Sequence, residues 1–228
     1  MPACTVASER TRDARTVLIV DDHQLVGASL VLALASRGLT GHVCDVTSVS
    51  GVLRVADGLT PGLVLLDLEL GAGAAGEPID ELELVAGLRA RHWRVLIVSG
   101  ATNERRVAAA IAEGAVGYVT KVAPLPELLD AVCTAADGGP ILTPGARVRW
   151  IDIDSKSRAE QRVDRAKLRR LTPKEREVLE CLARGERAAA IAERHRVSMT
   201  TVRAQIRSIH MKLEVNSQLE AVALVRRL

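Results

Sequence analysis

Four apolar residues, Leu63-Val64-Leu65-Leu66, run without a polar break straight into Asp67, with Leu68 and Glu69 behind it. So short a continuous run is what a parallel strand looks like when both of its faces are covered. The pattern recurs along the first half of the chain. Thr16-Val17-Leu18-Ile19-Val20 ends at Asp21-Asp22, Val95-Leu96-Ile97-Val98 ends at Ser99, and Gly117-Tyr118-Val119-Thr120 ends at Lys121. A further short strand is read at Val43 to Val46. Helical spacing fills the gaps. Gln24 to Ser36 carries Leu25, Leu30, Leu32 and Leu34 and stops at Gly38, and further helices are read at Val49 to Asp57, Asp80 to Arg91, Glu104 to Glu113 and Leu125 to Ala136. Strands alternating with helices of this length predict an α/β fold, a doubly wound parallel sheet of five strands covered on both sides.

In an open α/β sheet, ligands sit just outside the carboxyl ends of the strands. A lone strand-end Asp more often caps the loop or helix that follows. Here Asp21, Asp22, Asp67, Ser99 and Lys121 are all expected at the same edge. Two like unit charges 4 Å apart repel by about 4 kcal/mol at an effective dielectric near 20, and a structural role needs no such crowding. A hard divalent cation relieves it. Mg²⁺ suits, bound through carboxylates while keeping waters for a phosphate. One carboxylate could then attack a phosphoryl group, its charge spread by the metal, a hydroxyl and an ammonium.

This set of residues resembles that of a response-regulator receiver domain, over about residues 16–137. The resemblance implies a flavodoxin-like fold with Asp67 as phosphoacceptor. Asp22 would be a direct Mg²⁺ ligand, Asp21 would act mainly through water, and the backbone carbonyl of Glu69 would complete the protein ligands. Ser99 would hydrogen-bond the phosphoryl group and Lys121 would pair with it. Tyr118 matches the aromatic that turns inward when the Ser engages phosphate; read bottom-up, it is equally a sheet-edge aromatic with a wet hydroxyl. Two features depart from the family pattern. Val122 stands where Pro usually follows the Lys, and Leu70-Gly71-Ala72-Gly73-Ala74-Ala75-Gly76 replaces the usual Met-Pro-Gly-x-Asp-Gly, which predicts a mobile loop after Asp67.

Gly138-Gly139-Pro140 ends the first domain, and residues 138–167 read as a linker. Ile141 to Ser155 holds Pro144 and Gly145 with no helical period, while Lys156 to Arg170 reads as an exposed charged helix spacing two domains. The N-terminal residues 1–15, which mix charges of both signs, are expected to be disordered.

The remainder, 168–228, reads as short helices. Thr172-Pro173-Lys174-Glu175 is a capping box with Pro at the first helical position. Val178, Leu179 and Leu182 follow as an apolar face, and Gly185 is the stop. Ala188 to His195 makes a second helix with Ile191 inward. Ser198 caps a third whose Val202, Ile206, Ile209 and Leu213 form its core side, and Ser217-Gln218-Leu219-Glu220 opens a last one. The third helix shows Arg203 and Arg207 on another face, with Thr200, Thr201 and Gln205 alongside. Short helices with one basic face suggest a helix-turn-helix whose recognition helix enters the major groove; an ordinary solvated amphipathic helix would show the same charges. Leu171-Thr172-Pro173-Lys174-Glu175-Arg176-Glu177-Val178-Leu179, Ile191-Ala192, Thr201-Val202-Arg203 and Lys212-Leu213-Glu214-Val215 resemble the LuxR-type effector domain. The resemblance implies that Arg203, Ala204 and Arg207 face bases, that Thr200, Thr201 and Lys212 contact phosphates, and that the last helix pairs protomers. Arg187 stands where a Ser or Thr cap is usual, and Gln205 where His is common.

Charge divides along the same line. Residues 16–137 carry −7 and residues 138–228 carry +9, which suits a second domain that meets a polyanion. With no Phe and only Trp93, Trp150 and Tyr118 as aromatics, the stacking platforms of single-strand binders are missing. No apolar run approaches the roughly 18 residues of a membrane helix, no signal peptide is visible, and Cys4, Cys44, Cys133 and Cys181 lack metal-ligand or redox spacing. A cytoplasmic protein is expected. Together the halves resemble a NarL/FixJ-type response regulator. The resemblance implies a homodimeric transcription factor on a roughly palindromic double-stranded DNA site, phosphorylated by a sensor histidine kinase, with room for RNA polymerase as a further partner. The alternative is a receiver that serves as a phosphorylation-independent dimerisation or partner-binding module. A phosphohydrolase built on Asp67-Leu68-Glu69 is disfavoured, since that chemistry uses a second Asp as acid.

Overall fold

The computed structural model describes residues 15–71, 73, 76–100 and 104–226. Two compact units divide between Asp154 and Ser155. The first runs β1 (Thr16–Val20), α1 (Gln24–Ala35), β2 (Thr40–Cys44), α2 (Val49–Asp57), β3 (Leu63–Leu66), α3 (Glu81–Ala90), β4 (Arg94–Ser99), α4 (Glu104–Glu113), β5 (Gly117–Thr120) and α5 (Leu125–Ala136). The five strands are all parallel, in the order β2-β1-β3-β4-β5. The apolar runs form strands because only a sheet covered on both sides removes all their side chains from water. One layer packs Leu18, Val20, Val64, Leu66, Val95 and Ile97 against α2, α3 and α4; the other packs Val17, Ile19, Leu63, Leu65, Leu96 and Val98 against α1 and α5.

The second strand lies earlier than Val43 to Val46: it is Thr40–Cys44, paired with β1 from Thr16↔Thr40 to Val20↔Cys44. The β1 register selects it, since an edge strand needs little apolar character to be held by its ladder. Among the leucines of α1, Leu30 and Leu34 are buried, whereas Leu25 is 85% and Leu32 76% exposed. The loop expected to be mobile after Asp67 falls partly outside the described residues, at 72, 74 and 75, as do residues 1–14 of the N-terminus expected to be disordered.

The reading of Ile141 to Ser155 as non-helical holds for residues 141–143 and is overturned from Pro144 onward. α6 is a single helix over Pro144–Arg169. Thr143 caps it, its hydroxyl accepting from Ala146 N at 3.2 Å, and Pro144 occupies the first position, where its missing N–H costs nothing. The period was hidden because the covered side carries Arg147, Trp150 and Asp154 rather than aliphatics, while Val148 and Ile151 face solvent.

The second unit comprises the end of α6 and α7 (Pro173–Ala183), α8 (Ala188–Arg194), α9 (Met199–Leu213) and α10 (Gln218–Arg226). Its own core holds Leu171, Val178, Leu179, Leu182, Ile191, Val202, Ile209, Leu213 and Ala221, with Ile206 partly buried against it. Gly185, at φ +85°, takes the left-handed turn that ends α7.

Candidate functional site

The register of the sheet brings the strand-end residues together. Val20 pairs with Leu66 and Ser99 with Thr120, so one residue beyond these pairs stand Asp21, Asp67 and Lys121. Two further backbone bonds hold the ends in place: Asp67 N donates to the Val20 carbonyl at 3.0 Å, and Lys121 N to the Ser99 carbonyl at 2.9 Å. Asp67 is 2% exposed, Ser99 4% and Asp21 7%. The Lys121 ammonium bridges the two buried carboxylates, 2.6 Å from Asp21 Oδ2 and 2.8 Å from Asp67 Oδ2. Burial works to lower the Lys121 pKa, but the bonds to Asp21 and Asp67 outweigh it and the net direction is up. Glu69 N donates to Asp67 Oδ1 at 3.1 Å, turning the chain immediately after the strand. Lys121 makes this reach with a trans bond to Val122, since the described residues contain no cis peptide.

His23 joins the cluster, and sequence reasoning passed over it. Its Nδ1 lies 2.7 Å from Asp22 Oδ1 and 3.2 Å from Asp21 Oδ1, and its backbone N–H donates to Asp21 Oδ1 at 2.8 Å. The signal was its place directly after Asp21-Asp22. Asp21, Asp22, His23 and Asp67 each offer one ligand atom within 4.8 Å of the others. Three carboxylates and an imidazole make a donor set that fits a divalent cation. Tyr118 stands on edge strand β5, next to the pocket along the chain but packed elsewhere: its ring meets Trp150 edge to face.

In the second unit, Ser198 caps α9, its hydroxyl accepting from Thr201 N at 3.1 Å and lying 2.9 Å from Thr201 Oγ1. Thr200, Thr201, Arg203, Ala204 and Arg207 are all exposed on this helix, while Val202, Ile209 and Leu213 bury its other side. Lys212 is placed differently. Its ammonium lies 2.6 and 2.9 Å from the two oxygens of buried Glu175. The same carboxylate accepts from Ser208 Oγ at 2.6 Å and from Thr172 N at 2.7 Å. Glu175 was read only as half of a capping box; that it also ties α7 to α9 depends on packing. Arg187 leaves α8 without a side-chain cap.

Comparison with known proteins agrees with this geometry. Residues 17–133 match the response regulator receiver domain, and residues 169–225 match the bacterial regulatory proteins of the luxR family. The transcriptional regulatory protein YdfI of Bacillus subtilis (strain 168) is 30% identical over 209 residues, 91% of this chain and 93% of that protein. The nitrate/nitrite response regulator protein NarL of Escherichia coli (strain K12) is 25% identical over 214 residues, 94% of this chain and 96% of that protein. Full-length FixJ from B. japonicum shares 25% identity, covering 93% of this chain and 96% of that one, with a TM-score of 0.44. The chain belongs to the NarL/FixJ-type two-component response regulators, transcription regulators that join a receiver domain to a LuxR-type DNA-binding domain.

Proposed function

We propose that this protein is a transcription factor, acting in the cytoplasm, whose dimerisation on DNA is governed by phosphorylation of Asp67. The observation that carries this reading is the Lys121 ammonium bridging Asp21 and Asp67 at 2.6 and 2.8 Å within a cluster of three carboxylates. The receiver is read as spanning residues 16–137 and the DNA-binding domain 168–228, with 138–167 joining them.

An Asp67 carboxylate oxygen attacks phosphorus of the phosphohistidine of a sensor kinase. The new P–O bond makes an acyl phosphate, and the P–N bond breaks, returning the electron pair to the imidazole, which takes up a proton. Asp21, Asp22, Asp67 and the carbonyl of Glu69 would hold Mg²⁺, which when bound neutralises charge on the transferred phosphoryl group. Ser99 donates its hydroxyl to that group, and Lys121 exchanges its pairing with the carboxylate for pairing with the phosphate. Tyr118 turns with Ser99.

On DNA, Arg203, Ala204 and Arg207 face base edges, where an arginine reads guanine bidentately. Thr200 and Thr201 contact phosphates. Lys212 spends two hydrogens of its ammonium on Glu175 and keeps a third for a phosphate. Two copies occupy a roughly palindromic site whose half-sites lie about 10 base pairs apart.

The test is acetyl phosphate with Mg²⁺, read by intact mass and by gel shift on selected genomic fragments. The expected result is a gain of about 80 Da, abolished in Asp67→Ala, together with tighter binding of the phosphorylated protein. DNA binding with no mass gain, or a gain that survives Asp67→Ala, would favour the phosphorylation-independent module.

A further inference from the structure

Within the second unit, the end of α6 meets α7 and α10 around a pocket of about 310 Å³. The two longer helices bring the same spacing to it. Arg165, Leu168 and Arg169 of α6 and Arg176 and Leu179 of α7 stand three and four positions apart, so each set shares one helix face. Val225 of α10 completes the lining. Leu179 is 1% exposed, and Leu168 and Val225 pack half-buried against the same core. The three arginines are exposed. The pocket therefore has an apolar floor under a cationic rim, since arginine stems cover apolar surface while their heads stay in water.

The charge on that rim is not neutralised by the fold. Elsewhere at the end of α6, Lys167 and Arg170 share Glu214 at 2.9 and 2.7 Å. Arg165, Arg169 and Arg176 form no ion pair among the described residues. Glu180 also lines the pocket, which leaves two positive charges in surplus. That surplus disfavours a cation. An inorganic anion or a bare phosphodiester would satisfy the rim but leave the apolar floor wet. A guanidinium fork matches a carboxylate with two parallel N–H bonds, and the volume falls at the small end of ligand pockets, which start near about 300 Å³.

We propose that this pocket binds a small amphiphilic carboxylate, a single anionic head on an apolar body. The head accepts N–H bonds from the arginine rim, and the body lies on Leu168, Leu179 and Val225. Once bound, the ligand fastens the end of α6 to α7 and α10, and stabilises the second unit in proportion to its occupancy. The second unit thereby gains a chemical input of its own. The site shares no residue with the acidic cluster around Asp67, so it stands whether or not Asp67 is phosphorylated.

The experiment titrates the full chain with decanoate, decanol and decylammonium, each kept below its micelle concentration, and follows backbone amides by NMR. These probes share one apolar body and differ in the charge of the head. Decanoate should give saturable shifts at amides of 165–180 and of α10, while decanol binds about ten-fold more weakly or worse and decylammonium leaves these amides unmoved. Arg176→Gln, and the pair Arg165→Gln with Arg169→Gln, should each weaken decanoate about three- to ten-fold, the range for charge-assisted bonds at a partly exposed site. The substituted side chains are exposed, and unaltered amide shifts elsewhere in the variants verify that they fold. No saturable shift with decanoate, shifts that map away from α6, α7 and α10, decanol binding as tightly as decanoate, or full affinity in the arginine variants each overturns the inference.

Discussion

Glu175 shows how a residue's surroundings decide what its charge is for. Burial alone would raise its carboxyl pKa, but the Lys212 ammonium, the Ser208 hydroxyl and Thr172 outweigh that and hold it at about 2. An unfolded glutamate titrates near about 4.3. The folded pKa is the lower one, so this carboxylate contributes its full stability above about pH 4 and loses it as pH falls towards 2. Glu175→Ala removes half of a capping box and leaves Lys212 and Ser208 without this partner. The expected cost to the second unit is about 2–4 kcal/mol, seen as an earlier urea midpoint at pH 7. At pH 2 the gap between variant and wild type should narrow; a constant gap from pH 7 to pH 2 would contradict the assigned network. The capping box itself was legible in Thr172-Pro173-Lys174-Glu175. The bond from Glu175 to Lys212, 37 positions on, was not, because nothing local requires it.

Elements with their own period or caps were legible. Ser198 caps α9 as its place in the sequence predicts, and Asp80, read only as the start of a helix, caps α3, accepting from Leu82 N and Glu83 N at 2.9 and 3.0 Å. β3 was the plainest of all, and its entry shows how tightly the sheet is drawn. A Cβ on Gly62 would stand 2.2 Å from the Thr16 carbonyl oxygen, a backbone atom that cannot swing aside. Gly62→Ala should therefore destabilise the first unit by about 1–3 kcal/mol, measured as a fall in its thermal midpoint; an unchanged midpoint would mean that β1 and β3 separate freely there. The first half of α6, Pro144 to Ser155, was what escaped, whereas its second half was read as a helix. The covered side of that first half uses an arginine, a tryptophan and an aspartate, so hydrophobic periodicity had nothing to register.

At the scale of the whole chain the dominant fact is charge, −7 over residues 16–137 against +9 over residues 138–228. Binding through phosphates falls steeply with salt as counterions are released. An acidic half tethered to a basic one should weaken that binding at low ionic strength and matter little once charges are screened. Residues 150–228, which carry a core of their own, should bind a DNA duplex more tightly than the unphosphorylated full chain at low salt. The advantage should shrink as salt is raised through about 0.2 M. Fluorescence anisotropy across a salt series measures this, and equal affinities at low salt would remove electrostatic screening as a mode of control. No helix among the described residues is long and apolar enough to cross a membrane.

The apolar runs, their terminal Asp21, Asp67, Ser99 and Lys121, and the capped helices of the second half determined the two folds by themselves, because burial and hydrogen-bond closure act over a few neighbouring residues. Tertiary structure alone decided that Lys121 bridges two aspartates, that His23 enters the acidic cluster, that Lys212 belongs to Glu175 and that Trp150 rests on Tyr118. Each of these pairings, apart from that of His23, joins residues 32 or more positions apart. Such contacts cost chain entropy that only the assembled fold repays, and His23 needed the sheet to bring Asp67 beside its neighbours.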